Sequence, residues 1–150
     1  MIVIVLAALV ILGDQLSKAW VAGFLPLGHS RVIWPGVFAL THIRNAGAAF
    51  GMLQFRRWLF ITMGLATVAA AVYFRDKLKT QPLLLRIGLG LALGGTVGNM
   101  LDRVFIGKVR DFLDFYLWPV FNVADMAIVA GVAAIVLQML RTKKNPVNGG

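Results

Sequence analysis

The sequence predicts an all-α membrane protein with four transmembrane helices. Hydrophobic residues make up 59% of the 150 positions, and the mean hydropathy is +0.82. Soluble domains average about 45–50% apolar residues. Four apolar stretches, at about 1–25, 58–74, 83–101 and 118–140, approach or exceed the roughly 20 residues that cross a bilayer. With no repeat and no second domain boundary, we expect one integral membrane domain over residues 1–150.

Local patterns refine each element. No Lys or Arg precedes the first apolar stretch, which therefore predicts a retained helix and not a cleaved signal peptide. Between the first two stretches, Pro and Gly predict turns, and residues 37–43 predict a short strand. In the third stretch, Gly90, Gly94 and Gly98 recur every four residues, as in helices that approach a neighbour closely. Residues 141–150 predict a disordered polar tail.

Charge and composition exclude several classes of function. The net charge is +9, but the 15 basic residues are scattered between apolar stretches, which favours anionic lipid headgroups over nucleic acid as the partner. The chain has no Cys and only two His, His29 and His42, so a zinc site would lack ligands. We therefore expect no metal, and no recognisable motif predicts a cofactor.

The distribution of Lys and Arg bears on orientation. Apart from Lys18, the basic residues divide seven to seven between the two sides of a four-helix arrangement, so their number alone does not decide. Their density does favour one side, because four basic residues fall within positions 75–86, whereas positions 31–57 hold four in more than twice the length. We therefore predict that residues 75–82 and both termini are cytoplasmic.

Polar residues from five separate segments are predicted to meet at one face of the membrane. Successive helices alternate in direction, so the end of the first helix, the end of the third and the start of the fourth lie on the same side. Among the acidic residues, only Asp76 falls on the opposite side. The residues predicted to converge are Asp14, Asn45, Asn99, Asp102, Arg103, Asp111, Asn122 and Asp125.

Helical spacing predicts local pairs within this group. Asp14 and Lys18 are four residues apart and can pair along one helix face. An internal ion pair and a direct substrate role are both consistent with residues of this kind inside a membrane. Asn99, Asp102 and Arg103 share a helix face, which favours a polar cluster that satisfies its own hydrogen bonds.

Asp111 and Asp125 are the candidate catalytic carboxylates. Neither has a basic partner at helical spacing, and Asn122 can support Asp125 from the same helix. Two carboxyl groups that meet share one proton, so one can activate water while the other polarises a carbonyl group. This arrangement suits peptide hydrolysis. Asp114 is expected to face water, and a dyad of Ser17 and Lys18 is disfavoured because adjacent helical positions diverge.

Five segments in order resemble those of the lipoprotein signal peptidase (signal peptidase II) family. They read DQLSK at 14–18, NAGAAF at 45–50, GGTVGNMLDR at 94–103, VRDF at 109–112 and FNVAD at 121–125. Each alone is a weak signal, but together they span essentially the whole chain and are highly specific.

This resemblance implies an aspartyl endopeptidase of the bacterial inner membrane that removes signal peptides from diacylglyceryl-modified prolipoproteins, cleaving before the lipidated Cys. It implies a small extracytoplasmic β-structure and an interfacial helix between helices 1 and 2, with the active site on the periplasmic side. Its partners are then lipid-modified prolipoproteins and membrane lipids, and we expect a monomer. The resemblance implies Asp111 and Asp125 as catalytic, supported by Asp14, Lys18, Asn45, Asn99, Arg103 and Asn122.

Two other classes of function remain open on the residues alone. A small transporter could use Asp14 as its membrane carboxylate, although its path would need polar residues across the whole bilayer. A non-enzymatic assembly or lipid-binding subunit could use the same polar residues as a structural network.

Overall fold

The protein is mostly helical and carries a small antiparallel sheet. The computed structural model describes residues 1–47 and 57–144. In chain order its elements are α1 (Ile2–Phe24), β1 (Ser30–Trp34), β2 (Phe38–Asn45), α2 (Arg57–Tyr73), α3 (Arg75–Lys79), α4 (Leu83–Phe105), β3 (Val109–Asp114) and α5 (Val123–Lys144).

Within the described residues, three helices are long and apolar enough to cross a membrane. They lie at Ile2–Phe24, Leu83–Phe105 and Val123–Lys143. The second predicted span also forms a helix, α2, but with 17 residues it is shorter than the other three. Three of the four predicted spans therefore form helices that could cross a membrane, and the fourth crossing stays a prediction.

Close packing around α4 follows from its glycines. A side-chain carbon added at Gly90 or Gly94 would lie within 3.0 Å of atoms of α1, and one at Gly98 would lie 2.7 Å from the Asp14 carboxylate. On another face, an added carbon at Gly88 would lie 2.7 Å from the Gly131 carbonyl oxygen in α5. The predicted glycine stripe is confirmed, and α1 is the helix that approaches it.

The sheet joins two distant parts of the chain. Its strand order is β1-β2-β3, and all pairs are antiparallel. The predicted strand at 37–43 is confirmed as β2, and β1 also lies in the connection where a small β-structure was expected, whereas β3 was not predicted. The register sets Ile43 opposite Asp111 and Asn45 opposite Val109. Apolar residues of the sheet pack on the end of α1, in a core of Val21, Leu25, Leu40 and Phe112.

Two predicted helix boundaries need correction. The third span was predicted to end at 101, but α4 continues to Phe105 and stops where Gly107 adopts a φ of 84° and donates its N–H to the Asp102 carbonyl oxygen. The fourth was predicted to start at 118, but α5 begins at Val123. Pro119 cannot donate a backbone bond, and Phe121 is held extended by backbone bonds to Leu113.

The same helix extends further than expected at its other end. The predicted disordered tail began at 141, yet residues 141–144 belong to α5. The rest of that tail, 145–150, lies outside the described residues. An interfacial helix was predicted in the connection between helices 1 and 2, and residues 48–56 of that connection lie outside the described residues as well.

Candidate active site

All the predicted site residues lie at one end of the helices. Asp14 and Lys18 come from α1, and Asn45 comes from the end of β2. Asn99 and Arg103 come from the last turns of α4, Asp111 comes from β3, and Asn122 and Asp125 come from the start of α5. The convergence predicted from alternating helix direction is therefore found.

Asn122 connects the two candidate catalytic carboxylates. Its side-chain amide nitrogen donates to Asp111 Oδ1 at 2.6 Å, and its backbone N–H donates to Asp125 Oδ2 at 3.3 Å. Its amide oxygen accepts from the Asp125 backbone N–H at 2.9 Å. The last two bonds form a reciprocal cap on the first turn of α5. The residue that caps the helix thus holds both the Asp125 carboxylate and the Asp111 carboxylate.

Asp111 is nearly removed from solvent, with 2% of its surface exposed. Its second oxygen accepts from the Asn45 amide at 3.0 Å, so both of its oxygens face an asparagine. Burial raises the pKa of the Asp111 carboxyl from its ordinary 3.8 to about 6. The Asn45 hydrogen bond lowers this pKa, the Asp125 charge raises it, and the Asn122 hydrogen bond lowers it.

Asp125 is partly buried and is held by a second asparagine. The Asn99 amide nitrogen donates to Asp125 Oδ1 at 2.7 Å. The Asn99 oxygen accepts from Asn122 and from Lys18, each at 3.1 Å. Asn99 therefore links the carboxylate pair to a second polar layer beneath it.

That second layer is a buried charge cluster formed by Asp14, Lys18, Asp102 and Arg110. The predicted ion pair between Asp14 and Lys18 is confirmed at 2.8 Å, and Lys18 also lies 3.4 Å from Asp102. Two carboxylates and two cations give the cluster no net charge, which is how buried ions are tolerated. Asp14 also accepts the Ala124 backbone N–H at 3.0 Å, which attaches α5 to α1.

Two members of this network were not predicted. Arg110 Nη2 donates to Asp102 Oδ1 at 2.7 Å and to Gln15 Oε1 at 2.9 Å. The Gln15 amide nitrogen in turn donates to Asp14 at 3.0 Å. Gln15 had a weak signal, since it lies in the only polar segment of α1. Helical spacing gave no signal for Arg110, because it lies in a strand and reaches Asp102 through the sheet.

The expected self-satisfied cluster of Asn99, Asp102 and Arg103 needs correction. Asp102 pairs with Lys18 and Arg110, and Arg103 has turned away from it. Arg103 donates to the Asn99 carbonyl oxygen at 3.2 Å, and its guanidinium lies 4.3 Å from the centre of the Phe60 ring. Arg103 is therefore at the site without a hydrogen bond to either candidate carboxylate.

Asp114 has a separate environment on the sheet. Thr41 Oγ1 donates to one of its oxygens at 2.7 Å, and the Tyr116 backbone N–H donates to the other at 3.0 Å. It is part of a strand-to-turn connection and is not simply solvated as expected.

The arrangement can perform acid–base chemistry on a bond placed beside the two carboxyl groups. One carboxyl is buried and has a raised pKa, while the other is partly open to solvent. Within residues 1–47 and 57–144, no group of three or more His, Cys, Asp or Glu side chains could hold a metal ion.

Comparison with known proteins identifies the family. A sequence model described as signal peptidase (SPase) II matches residues 6–141. The chain belongs to the signal peptidase II family. It is 45% identical over 128 residues to a lipoprotein signal peptidase of Desulfitobacterium hafniense, covering 85% of each chain. It is 40% identical over 148 residues to the one of Symbiobacterium thermophilum, covering 96% of this chain and 97% of that one.

Solved structures agree with this assignment. A bacterial membrane enzyme determined by the in meso method at 2.3 Å matches with a TM-score of 0.89 and 32% identity, over 99% of this chain and 93% of that one. A second, determined at 1.9 Å, matches with a TM-score of 0.82 and 33% identity, over 92% of each chain. As a signal peptidase II, the protein is a membrane peptidase of lipoprotein processing, which displaces the transporter and assembly-subunit hypotheses.

Proposed function

We propose that this signal peptidase II is an aspartyl endopeptidase in which Asp111 and Asp125 activate water. Its substrates are prolipoproteins modified with diacylglycerol, and it cleaves just before the lipidated Cys. The observation that carries the proposal is the shared contact with Asn122, which donates to Asp111 at 2.6 Å and to Asp125 at 3.3 Å. A lipid-anchored substrate stays at the membrane, where this site lies.

Asp111 is the carboxyl to which we assign the shared proton, because its burial raises its pKa. Asp125, ionised, takes a proton from water as the water oxygen bonds to the scissile carbonyl carbon. Asp111 donates its proton to the carbonyl oxygen. When the C–N bond breaks, the leaving nitrogen takes the proton held by Asp125, and Asp111 recovers a proton from the intermediate hydroxyl, so both groups return to their starting states.

The remaining predicted residues hold this pair in position. Asn45 and Asn99 each donate to one carboxylate, and Lys18 supports Asn99 from the charge cluster. Asp14 fixes the start of α5 through the Ala124 N–H. Arg103, beside Asn99, adds a positive charge near the pair, where it favours the ionised form of Asp125.

The proposed topology has four spans in a single domain. At 1.5 Å per residue the 17 residues of α2 extend about 25 Å, close to the ~30 Å hydrocarbon core. Four crossings put the carboxylate pair at the periplasmic face of the bacterial inner membrane and both termini in the cytoplasm. The proposed enzyme acts as a monomer, because all the groups that the mechanism needs come from one chain.

The mechanism is tested by Asp111→Asn and Asp125→Asn, each assayed on a lipidated prolipoprotein peptide. Either change removes acid–base chemistry, so we expect cleavage to fall by roughly 10²–10⁴-fold. The matched control is Asp114→Asn, an acid of the same strand in contact with Thr41 and Tyr116, which should keep most of its activity.

Helical content and melting temperature should be measured for all three variants. Full turnover by either dyad variant would exclude the aspartyl mechanism. Loss of activity in the Asp114→Asn variant with its fold intact would instead place the reacting group elsewhere on β3.

A further inference from the structure

A crevice between helices lies at the end of the molecule opposite the carboxylate pair. It has a volume of about 380 Å³. Arg86, at the mouth of this crevice, is 13 residues from Asn99, which corresponds to about 20 Å along α4. The crevice is therefore separate from the site described above. Its apolar walls come from α1, α2 and α4 and include Val3, Ile4, Val68, Ala71, Val72 and Leu93.

Two apolar residues of the crevice wall are strongly exposed. Ile4 is 69% exposed and Val72 is 59% exposed, although both are apolar. On α4, Leu93 is seven residues beyond Arg86, so the apolar groove extends about 10 Å inward from its mouth. Such a groove matches the outer part of an acyl chain.

A neighbouring cavity provides room for a second chain. It has a volume of about 200 Å³ and is lined by Thr67, Ala70, Phe74 and Leu89. The two cavities share Val3, Ala71, Leu78 and Leu93 as lining residues. The shared wall places two apolar grooves side by side, as a lipid with two chains requires.

Basic side chains surround the mouth. Arg75 and Lys79 of α3 and Arg86 of α4 all line the crevice. Arg75 and Lys79 share the single carboxylate of Asp76, at 3.7 Å and 2.7 Å. Arg86 forms no ion pair with any residue that the structure describes. One carboxylate against three cations leaves the mouth positively charged.

We propose that this crevice binds one molecule of an anionic diacyl phospholipid, with its phosphate at Arg75, Lys79 and Arg86 and its chains along α2. Guanidinium groups bind phosphate oxygens in pairs, and basic pockets between helices on the cytoplasmic side favour anionic headgroups. The signal peptide of a substrate is a poor occupant, since its n-region carries positive charge. A second copy is disfavoured because it would present the same basic surface.

The test compares lipids of equal chain length and different charge. Delipidated protein in detergent is titrated with phosphatidylglycerol or phosphatidylcholine, and bound lipid is counted by native mass spectrometry. We expect one phosphatidylglycerol to bind with a Kd lower than that of phosphatidylcholine by on the order of tenfold, given the gain per basic residue near an anionic surface. Equal affinity for the two lipids would overturn the proposal.

Two triple variants separate this site from general surface charge. Arg75→Gln/Lys79→Gln/Arg86→Gln should reduce the affinity for phosphatidylglycerol to that for phosphatidylcholine. Arg31→Gln/Arg141→Gln/Lys143→Gln removes the same charge at exposed positions outside both cavities and should leave lipid binding and peptidase activity unchanged. An equal loss in both variants would mean non-specific attraction and would contradict a defined site.

Two further measurements test the apolar part. Ala71→Trp places a large side chain at the wall common to both cavities. It should weaken the binding of both lipids without changing the charge of the protein. Millimolar glycerol phosphate should fail to displace the lipid. Displacement by this soluble phosphate, or the appearance of a protein dimer in place of bound lipid, would refute a diacyl lipid as the occupant. None of these outcomes depends on the aspartyl mechanism.

Discussion

Asn122 shows how one side chain can serve both folding and chemistry. Its amide and backbone contact both Asp111 and Asp125 while they cap α5. It has no measurable exposure, so its polar groups depend on these partners. Replacing it would therefore affect the helix start and the proposed dyad together.

Asn45 offers a cleaner test of the proposed proton assignment. In the proposed mechanism one carboxyl must stay protonated, so activity should fall as pH rises above about 6, where Asp111 ionises. The Asn45 hydrogen bond favours the ionised form and lowers this pKa. Asn45→Ala should therefore raise the pKa and move the falling limb of kcat/KM, which reports the free enzyme, to higher pH.

The measurement is a pH profile of cleavage for the wild type and for Asn45→Ala, under conditions where both stay folded. A limb that moves to lower pH, or one that stays in place, would contradict the role given to Asp111. The Asp114→Asn variant is the control and should keep the wild-type profile.

Local spacing predicted some contacts between residues but not others. The Asp14–Lys18 pair was predictable because both residues lie on one helix, four positions apart. The partner of Asp102 was not, since Arg110 reaches it through the turn at Gly107 and the pairing of β3 with β2. Contacts that depend on strand register cannot be read from helical periodicity.

At the level of elements, α4 is the helix on which the others assemble. Its glycines let α1 approach on one side and α5 on another. This close approach brings Asp14 and Lys18 within hydrogen-bond distance of groups on α4 and α5. The position of the site along the membrane normal therefore depends on backbone packing between these helices.

Gly94→Leu should disrupt this packing. The added side chain would meet Val10 Cβ at 2.7 Å and the Ala7 carbonyl oxygen at 2.8 Å. We expect a loss of roughly 1–3 kcal/mol in stability, as for other overpacked sites, together with reduced activity. Thermal unfolding in detergent provides the measurement.

Gly23→Ala is the matched control, because a side-chain carbon at Gly23 would meet no atom within 4 Å. It should leave stability unchanged or raise it by up to about 1 kcal/mol, as replacement of a helical glycine does. Comparable losses in the two variants would mean that the contact between α1 and α4 does not carry the effect.

Sequence patterns predicted the existence of these elements more accurately than their boundaries. Residues 118–122 are apolar enough to extend a span, but Pro119 and the bridge from Phe121 to Leu113 keep them out of α5. Hydropathy reports burial in lipid or protein alike, so it does not distinguish a helix from a short extended segment beside a sheet. Hydropathy did not single out β1, all five residues of which are exposed, and only the resemblance to a known family implied β-structure in that connection.

At the scale of the whole molecule, the two ends of the helices differ in charge and in proposed role. One end holds the carboxylate pair above a neutral charge cluster, and the other holds the basic mouth of the crevice. Alternating helix direction was enough to predict that all the acidic residues except Asp76 lie at one end, because this depends only on the order of the spans. The crevice at the other end was not predicted. The side of the membrane that each end faces is part of the proposed topology.

The absence of cysteine makes this topology directly testable. Val37 lies in the turn between β1 and β2, and Thr80 lies just after α3; both side chains are exposed. Two single-cysteine variants, Val37→Cys and Thr80→Cys, therefore report on the two sides of α2. In intact spheroplasts, a membrane-impermeant maleimide should label Val37→Cys and should label Thr80→Cys only after permeabilisation.

Labelling of both positions in intact cells would contradict four crossings, and the reverse pattern would invert the proposed orientation. The cysteine-free wild type sets the background. Peptidase activity of each single-cysteine variant shows that its fold is retained.

The hydrogen bond from Ala124 to Asp14 spans 110 residues and has a consequence for biosynthesis. The ribosome releases α1 long before α5 exists, so Asp14 first enters the membrane with Lys18 as its only counter-charge. Arg110, Asp111 and Asp125 are all made in the last third of the chain. In the mechanism proposed here, a nascent chain that has not yet been completed therefore has no proteolytic centre, and hydrolysis begins only after translation has delivered the final helix.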